Sequence, residues 1–470
     1  MAKITEEEAK VYIEGLVAKG RKAFKQIEFY SQEQVDHMVA KISWELDKEE
    51  VRQKLADMAM EESKLGNIPS KLAKIDGKIR GVYSEIKDMK TVGVIEDNKE
   101  LGYKKIAKPV GVIGALIPST QPEMIPITTA LFAMKTRNAV IIAPHPRGKN
   151  VGFYVADLIR DLLVQEGWPA DAYQCIDPDM GSVNTTKELM AQSDLVMATG
   201  GGGMVKAAYS SGTPAYGVGA GNAVMVIDDT ADLKEMAAKV KMSKTFDNAA
   251  GCSCDNALVI FDSVYDEAIA ALEAEGAFLT KEHDKIQSAI FPTWPADHNL
   301  NRETVAQPVE KIAKVAGIEI PEGTAFILVE ETGTGFEYPL SGEKLCLVTT
   351  VFRAKDIEEA TALVNKIHSY SGAGHSCGIY SYNQDNIDYF ALNTHTVRVN
   401  NNLPNSTVNT GSWLTHYPFS PSVGCGTWGG NICSKNVSIE FYMNYTYLTT
   451  EHKRHIPTDE ELWGDTGVMN

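Results

Sequence analysis

Short, wholly apolar runs recur between stretches of helical periodicity, and this alternation narrows the fold more than any other feature of the chain. GVIGALIP (111–118), NAVIIAP (138–144), DLVMAT (194–199) and AVMVID (223–228) each read as a strand without a polar face. A strand that is apolar on both sides must be covered on both sides. That is the signature of a parallel sheet with helices on its two faces. A second series follows, with ALVIFD, AFILVEE, LCLVTTVF, CGIYSY and TVRVNN separated by glycine- and proline-rich segments. The fold class is therefore α/β. Ahead of it, residues 1–90 read as helix. Leu16, Phe24, Ile27, Val35, Met38, Val39 and Ile42 recur at three- and four-residue steps, and Ser31 opens a capping box with Gln34. TVGVIED and ELGYKKIAKPV read as strands around a turn at Asn98. SIEFYMNYTYLTT alternates too, and as a lone strand it would be an exposed edge, so it should pair with another element or subunit.

The 470 residues allow two to four domains at about 100–200 residues each. An apolar fraction of 44% and a charged fraction of 23% exclude disorder and low complexity. A net charge of −17 disfavours nucleic acid and anionic membranes as partners. No apolar run approaches the roughly 18 residues of a membrane span. MAKITEEEAKVYIEGL is charged and amphipathic, unlike a secretory signal. Seven cysteines, an odd number in a long chain, point away from a disulfide framework and towards a reducing cytoplasm.

Five segments could carry chemistry. In KTFDNAAGCSCDNALVIFD, Cys252 and Cys254 sit in a turn before a buried strand. They are either small packing residues or a thiolate nucleophile presented by a strained turn; a metal pair would lack two further ligands, so no metal is expected. In ATGGGGMVKAAYSSG, a strand runs into Gly200, Gly201, Gly202 and Gly203 and then a helix, which suits either an anion site or a tight turn. IPSTQPEMIP (117–126) follows a strand and offers Thr120 or Gln121 where open α/β sheets place ligands, or else is a proline-bounded loop. His375 in GAGHSCGIY is a base or thiol-handling group, or a satisfied histidine. GCGTWGGNICSKN crowds glycines around Trp428, as a tight turn does or as backbone packed close to a site does; Cys425 within it reads as structural.

Taken together in chain order, IPSTQP, APHPR, ATGGGGMVKAAYSSG, GVGAGN, FDNAAGC, EKLC, GAGHS and GCGTWGGN resemble the CoA-acylating aldehyde dehydrogenases. This branch of the aldehyde dehydrogenase superfamily occurs as stand-alone enzymes and as the aldehyde half of bifunctional aldehyde/alcohol dehydrogenases. The resemblance spans about residues 15–445. It implies a Rossmann-like cofactor-binding domain (1–90 and 112–222), a catalytic domain (223–435), and a β arm (91–111 and 436–450) that makes the enzyme a homodimer or higher oligomer. The remaining 451–470 form a polar tail.

The resemblance makes Cys252 the nucleophile and Gly200–Gly203, with Thr199 and Gly219, the cofactor loop. Thr120, Pro144 and His145 fall among the cofactor contacts, Glu343 at the nicotinamide ribose, and His375 at the histidine implicated in thioester formation. Gln121 stands where relatives carry an oxyanion-hole asparagine, with the same amide on a longer reach. Hydrolytic relatives carry a glutamate base where this chain reads YGVGAGNAV (216–224), without a carboxylate. Water should then attack the acyl-enzyme poorly, leaving it for coenzyme A. The alternatives are a CoA-independent hydrolytic dehydrogenase, a cysteine acyltransferase without redox chemistry, and a non-catalytic scaffold. NAD is favoured over NADP, although Arg147 and Lys149 could meet a 2′-phosphate. The STQPE loop and the HIPTDEELWG tail lean towards sulfoacetaldehyde, with succinate semialdehyde as runner-up and acetaldehyde as the family default. Ser119, Thr120, Arg398 and His416 are candidate donors to an anionic substrate.

Overall fold

The structure, a computed structural model, describes residues 4–466 and 468. The first three residues of the N-terminal reading and the end of the tail lie outside the described residues. The helical stretch breaks into α1 (Glu6–Ile27), α2 (Gln32–Leu46), α3 (Glu49–Ser63) and α4 (Ile68–Ile86). Ser31 closes the expected capping box, its Oγ accepting from the Gln34 N–H at 3.2 Å while Gln34 accepts from the Ser31 N–H at 2.9 Å. Ile27, Val35, Met38, Val39 and Ile42 are buried; Leu16 and Phe24 are partly so.

Strands β1 (Gly93–Asn98) and β2 (Tyr103–Pro109) form a hairpin. A five-stranded parallel sheet follows from β3 (Val112–Ile117), β4 (Ala139–Pro144), β5 (Tyr173–Cys175), β6 (Leu195–Thr199) and β7 (Ala215–Val218). Its order is β5-β4-β3-β6-β7, so the chain builds outward from β3 on one side and then crosses back to the other. The switch point between β3 and β6 is where doubly wound sheets open a crevice for ligands. Helix α5 (Met124–Lys135) is buried all round, which fixes the 118–123 loop ahead of it. Helices α6 (Lys149–Gln165), α7 (Val183–Gln192) and α8 (Gly202–Tyr209) complete this half.

The second sheet comprises β8 (Ala223–Ile227), β9 (Asp255–Phe261), β10 (Ala277–Thr280), β11 (Phe326–Glu330), β12 (Val348–Ala354), β13 (Cys377–Tyr380) and β14 (Val399–Asn401). All its pairings are parallel, in the order β10-β11-β12-β9-β8-β13-β14. All seven residues of β9 are buried, which accounts for the apolar run Ala257–Phe261 within it. Helix α9 (Leu233–Thr245) leads towards the cysteine turn. The last strand, β15 (Met443–Thr449), does pair within the chain: it runs antiparallel to β2, Met443 opposite Pro109 and Thr449 opposite Tyr103. The strand remains an edge of a three-stranded sheet, with Tyr447 and Leu448 exposed. Among the described residues no helix is long and apolar enough to cross a membrane.

Candidate active site

Cys252 lies in the turn between α9 and β9, and the chain reaches it through three consecutive residues with left-handed backbone: Asp247 (φ 50°), Asn248 (φ 51°) and Ala249 (φ 60°). Such conformations cost about 1–3 kcal/mol each in non-glycine residues, so something must hold them. The restraint comes from the start of α4. Asp247, 1% exposed, pairs with Lys74, lies 3.6 Å from Lys71, and accepts from the Asn67 N–H at 2.9 Å. Ser70 Oγ accepts from the Asp247 N–H at 2.9 Å, and Asn248 donates to the Gly66 carbonyl at 2.9 Å. Burial would raise the Asp247 carboxyl, but Lys74 and Lys71 more than offset this and hold it below the usual carboxylate range.

On the other side of Cys252, Gly221 approaches so closely that a Cβ there would stand 2.2 Å from the Cys252 carbonyl oxygen. Gly221 lies in the 216–224 stretch, which carries no carboxylate, and presents bare backbone to Cys252. Gly221 N–H donates to Glu343 Oε1 at 3.2 Å. Asn222 and Asn256 tie this corner to the Glu343 loop: Asn222 donates to the Ser341 carbonyl at 2.9 Å and Asn256 to the Gly342 carbonyl at 2.8 Å. His375 comes from the start of β13, wholly buried, its Nε2 3.1 Å from Cys252 Sγ and its Nδ1 2.9 Å from Ser376 Oγ. The glycine crowding near it has a cause. At Gly374 (φ 75°) a Cβ would lie 1.9 Å from the Cys425 carbonyl oxygen, so the GAGHS and GCGTWGG segments interlock backbone to backbone.

The electrostatics favour a neutral resting pair. Burial, with Glu343 next, pushes the Cys252 thiol far above its usual range. Burial, with Arg398 and then His368, pulls the His375 imidazole down to about 3. Burial also raises Glu343 to about 8, partly offset by its bond from Gly221.

Two cavities meet at Cys252, both also lined by Thr120, Gln121, Ala250 and Pro421. One, about 230 Å³, runs between α4 and the 406–413 segment. The other, about 280 Å³, lies over the carboxyl ends of β3, β6 and β7, against Ser119, His145, Thr199, Gly200, Gly219 and Glu343. Gln121 makes no side-chain hydrogen bond to the described residues, and neither does the Cys252 backbone N–H, leaving two donors beside the thiol.

Residues 1–331 match the aldehyde dehydrogenase family. Sulfoacetaldehyde dehydrogenase of Acholeplasma sp is 39% identical over 451 residues, covering 96% of this chain and 93% of that protein. Sulfoacetaldehyde dehydrogenase (acylating) of Bilophila wadsworthia is 38% identical, covering 95% of this chain and 96% of that protein. The crystal structure of an acetylating aldehyde dehydrogenase from Geobacillus thermoglucosidasius superposes with a TM-score of 0.91 at 33% identity, covering 97% of this chain and all of that one. The chain belongs to the aldehyde dehydrogenase family, in its acylating branch.

An acylating aldehyde dehydrogenase needs NAD(P) and coenzyme A, and the bare backbone at the sheet edge fits the dinucleotide. A Cβ at Gly201, Gly202, Gly203 or Gly219 would meet nothing within 4 Å, so the turn into α8 is open to a pyrophosphate. Pro144 and Lys149 line a further groove of about 870 Å³ between α6, α7 and α8, of a size for the adenosine end. Thr199 Oγ1 is 2.7 Å from Ser422 Oγ, and His145 accepts from the Arg147 N–H at 3.1 Å.

Three proposed substrate donors are placed elsewhere. Arg398 is 1% exposed and spends its guanidinium on the His375 and Gly424 carbonyls (2.9 and 3.0 Å) and on Asn436 (2.7 Å), so it orders the loops around His375 and does not line the cavity. His416 is exposed against Tyr417, with ring centroids 4.8 Å apart, and lines neither cavity at Cys252. Ser119 faces the cofactor side only. The sequence reading did not find the Asp247 clamp, Gly221 or the Asn222–Asn256 ties. Asp247, Gly221 and Asn222 stood inside the FDNAAGC and GVGAGN motifs without a role.

Proposed function

We propose that this enzyme converts a small anionic aldehyde, sulfoacetaldehyde, to its CoA thioester with NAD, through Cys252. The observation that carries the mechanism is the 3.1 Å contact between Cys252 Sγ and His375 Nε2 at the junction of two cavities, with the Gly221 backbone packed against Cys252. His375 Nε2 is the group within hydrogen-bond reach of the thiol and receives its proton as Sγ attacks the carbonyl carbon. The Cys252 N–H and the Gln121 amide hold the resulting oxyanion, an effect worth roughly 3–4 kcal/mol per donor in comparable sites. Gly200–Gly203 and Glu343 would hold NAD, which would supply the hydride acceptor there. The acyl group left on Cys252 meets Gly221 backbone where a hydrolytic enzyme places its base. It therefore survives until the thiol of coenzyme A displaces Cys252: His375, having released the first proton to solvent, takes the coenzyme A thiol proton and returns it to the leaving Cys252 thiolate.

NAD is favoured over NADP because Glu62 already caps the start of α6, accepting from the Asn150 and Val151 N–H groups at 3.0 Å. A 2′-phosphate near this carboxylate meets like charge, and Lys149 is engaged with the Pro178 carbonyl at 2.9 Å. The substrate reading draws on the two sulfoacetaldehyde dehydrogenases among the relatives and on the size of the aldehyde-side cavity, below that of drug-sized pockets. The exposed edge of β15 supports assembly into a homo-oligomer through the arm. The test is a panel of sulfoacetaldehyde, succinate semialdehyde and acetaldehyde, each assayed with NAD or NADP for CoA-dependent reduction. Sulfoacetaldehyde with NAD should give the highest kcat/KM; a tenfold preference for NADP, or for acetaldehyde, would overturn the corresponding part.

A further inference from the structure

Helix α4 presents Ala73, Lys74, Gly77 and Lys78 to the aldehyde-side cavity as one helical stripe. Gly77 keeps that wall open, since a Cβ there would meet nothing within 4 Å. Of the two lysines, Lys74 is neutralised by Asp247. Lys78 forms no ion pair among the described residues. Its Nζ donates to the Thr410 carbonyl at 2.7 Å and the Gly411 carbonyl at 2.9 Å, which leaves a third N–H without a partner. Phe419 presses on Gly81, where a Cβ would stand 2.0 Å from its ring, and the Lys78 ammonium lies 5.3 Å from that ring's centroid. The ammonium is thus pinned at the cavity wall by two carbonyls and an aromatic face. The buried hydroxyl of Ser406, a residue that lines the same cavity, has no hydrogen-bond partner among the described residues.

A cation held in a partly buried site with no carboxylate in direct contact is costly, and burial pulls the Lys78 ammonium down to about 7, the more distant Glu85 carboxylate offsetting it only in part. An anion arriving in the cavity would relieve that cost. We propose that Lys78, assisted by the Ser406 hydroxyl, is the specificity-determining residue that receives the anionic head of the aldehyde, a sulfonate, while the carbonyl end lies at Cys252. The two ends of the substrate then meet two ends of one small cavity, and a three-oxygen headgroup satisfies both unpartnered donors. This assignment rests on the reading of the substrate as a small anionic aldehyde.

The readout is the ratio of kcat/KM for sulfoacetaldehyde to that for propionaldehyde, in the intact enzyme with NAD and coenzyme A. Lys78→Gln should lower this ratio by about 10–100-fold, as expected for loss of a charge-assisted hydrogen bond. Lys78→Arg should retain most of it, and inhibition by ethanesulfonate, an unreactive two-carbon sulfonate, should weaken in parallel with Lys78→Gln. If the glutamine variant does not fold, Ser406→Ala carries the test with an expected fall of about 3–10-fold. An anion-selective native enzyme whose ratio is unchanged by these substitutions would overturn the assignment to Lys78 while leaving the substrate reading intact. A native enzyme with no preference for the anionic aldehyde would overturn the substrate reading, and the assignment with it.

Discussion

Replacing Asp247 by asparagine should loosen the turn that carries Cys252 without touching the thiol itself. The substitution is isosteric and can keep the bond from the Asn67 N–H, but it leaves Lys71 and Lys74 buried without the carboxylate between them. Removing one partner of a buried pair typically costs about 3–5 kcal/mol. Glu123, fully buried and close enough to act on both lysines, remains, so the loss should fall near about 3 kcal/mol. That is comparable to the roughly 3–9 kcal/mol of strain expected from three left-handed residues at Asp247, Asn248 and Ala249. The clamp and the strain are therefore nearly matched, and weakening the clamp should let the turn relax. The expected outcome is a melting temperature lower by roughly 5 °C and alkylation of Cys252 altered by more than tenfold. Acid stability gives an independent check. The folded-state pKa of Asp247 is depressed, so its contribution is fully present above the ordinary carboxylate range and is lost as pH falls through the lowered value. Asp247→Asn should abolish that acid-side slope. Ala249→Gly, which removes strain at φ 60° but leaves the clamp, should stay within about 1 kcal/mol of the native protein. Native-like melting and alkylation in Asp247→Asn would refute the clamp.

Gln121→Ala should lower kcat by about 10²–10³ if its amide sits in the oxyanion hole, whereas a raised KM at unchanged kcat would make it a binding residue. Glu343→Gln tests the protonated carboxyl. The native group holds its proton up to about 8, against an ordinary value of 4.5, so the stability it contributes at acid pH is lost as pH rises through that window. The variant's melting temperature should accordingly gain on the native one between about pH 4.5 and pH 8 and level off above; a constant difference would show that Glu343 titrates normally.

The sheets were legible because their strands are buried on both faces. Ile113–Ile117, Ala139–Ala143, Ala223–Ile227 and Ala257–Phe261 are unbroken apolar runs. Three short strands escaped notice. Tyr173–Cys175 has a glutamine at its centre, Ala215–Val218 was read for its missing carboxylate, and Ala277–Thr280 is a brief edge strand. Glycine-rich turns and strand ends made Cys252, His375 and Gln121 candidates, the family resemblance gave them roles, and they lie around the two cavities or the thiol. What sequence could not supply was long-range pairing. Arg398 looked like a free cation, yet its guanidinium is consumed by carbonyls and Asn436 from loops far along the chain. Lys74 and Lys78 carry no mark in the sequence, and only the packing of α4 brings Lys74 to Asp247 and Lys78 to the Thr410 and Gly411 carbonyls. No local pattern marks a lysine whose partner is a carboxylate in a distant turn.

The central claim is that the acyl group on Cys252 waits for a thiol because no base delivers water to it. The most direct measurement is reduction of NAD by aldehyde in the absence of coenzyme A, followed by its addition. Native enzyme should release about one NADH per active site in a burst, fall nearly silent, and resume steady turnover with thioester formation once coenzyme A is present. Cys252→Ala should give neither phase while still binding NAD. Steady NADH production without coenzyme A, matched by accumulation of free acid, would contradict the account and make water the natural acceptor.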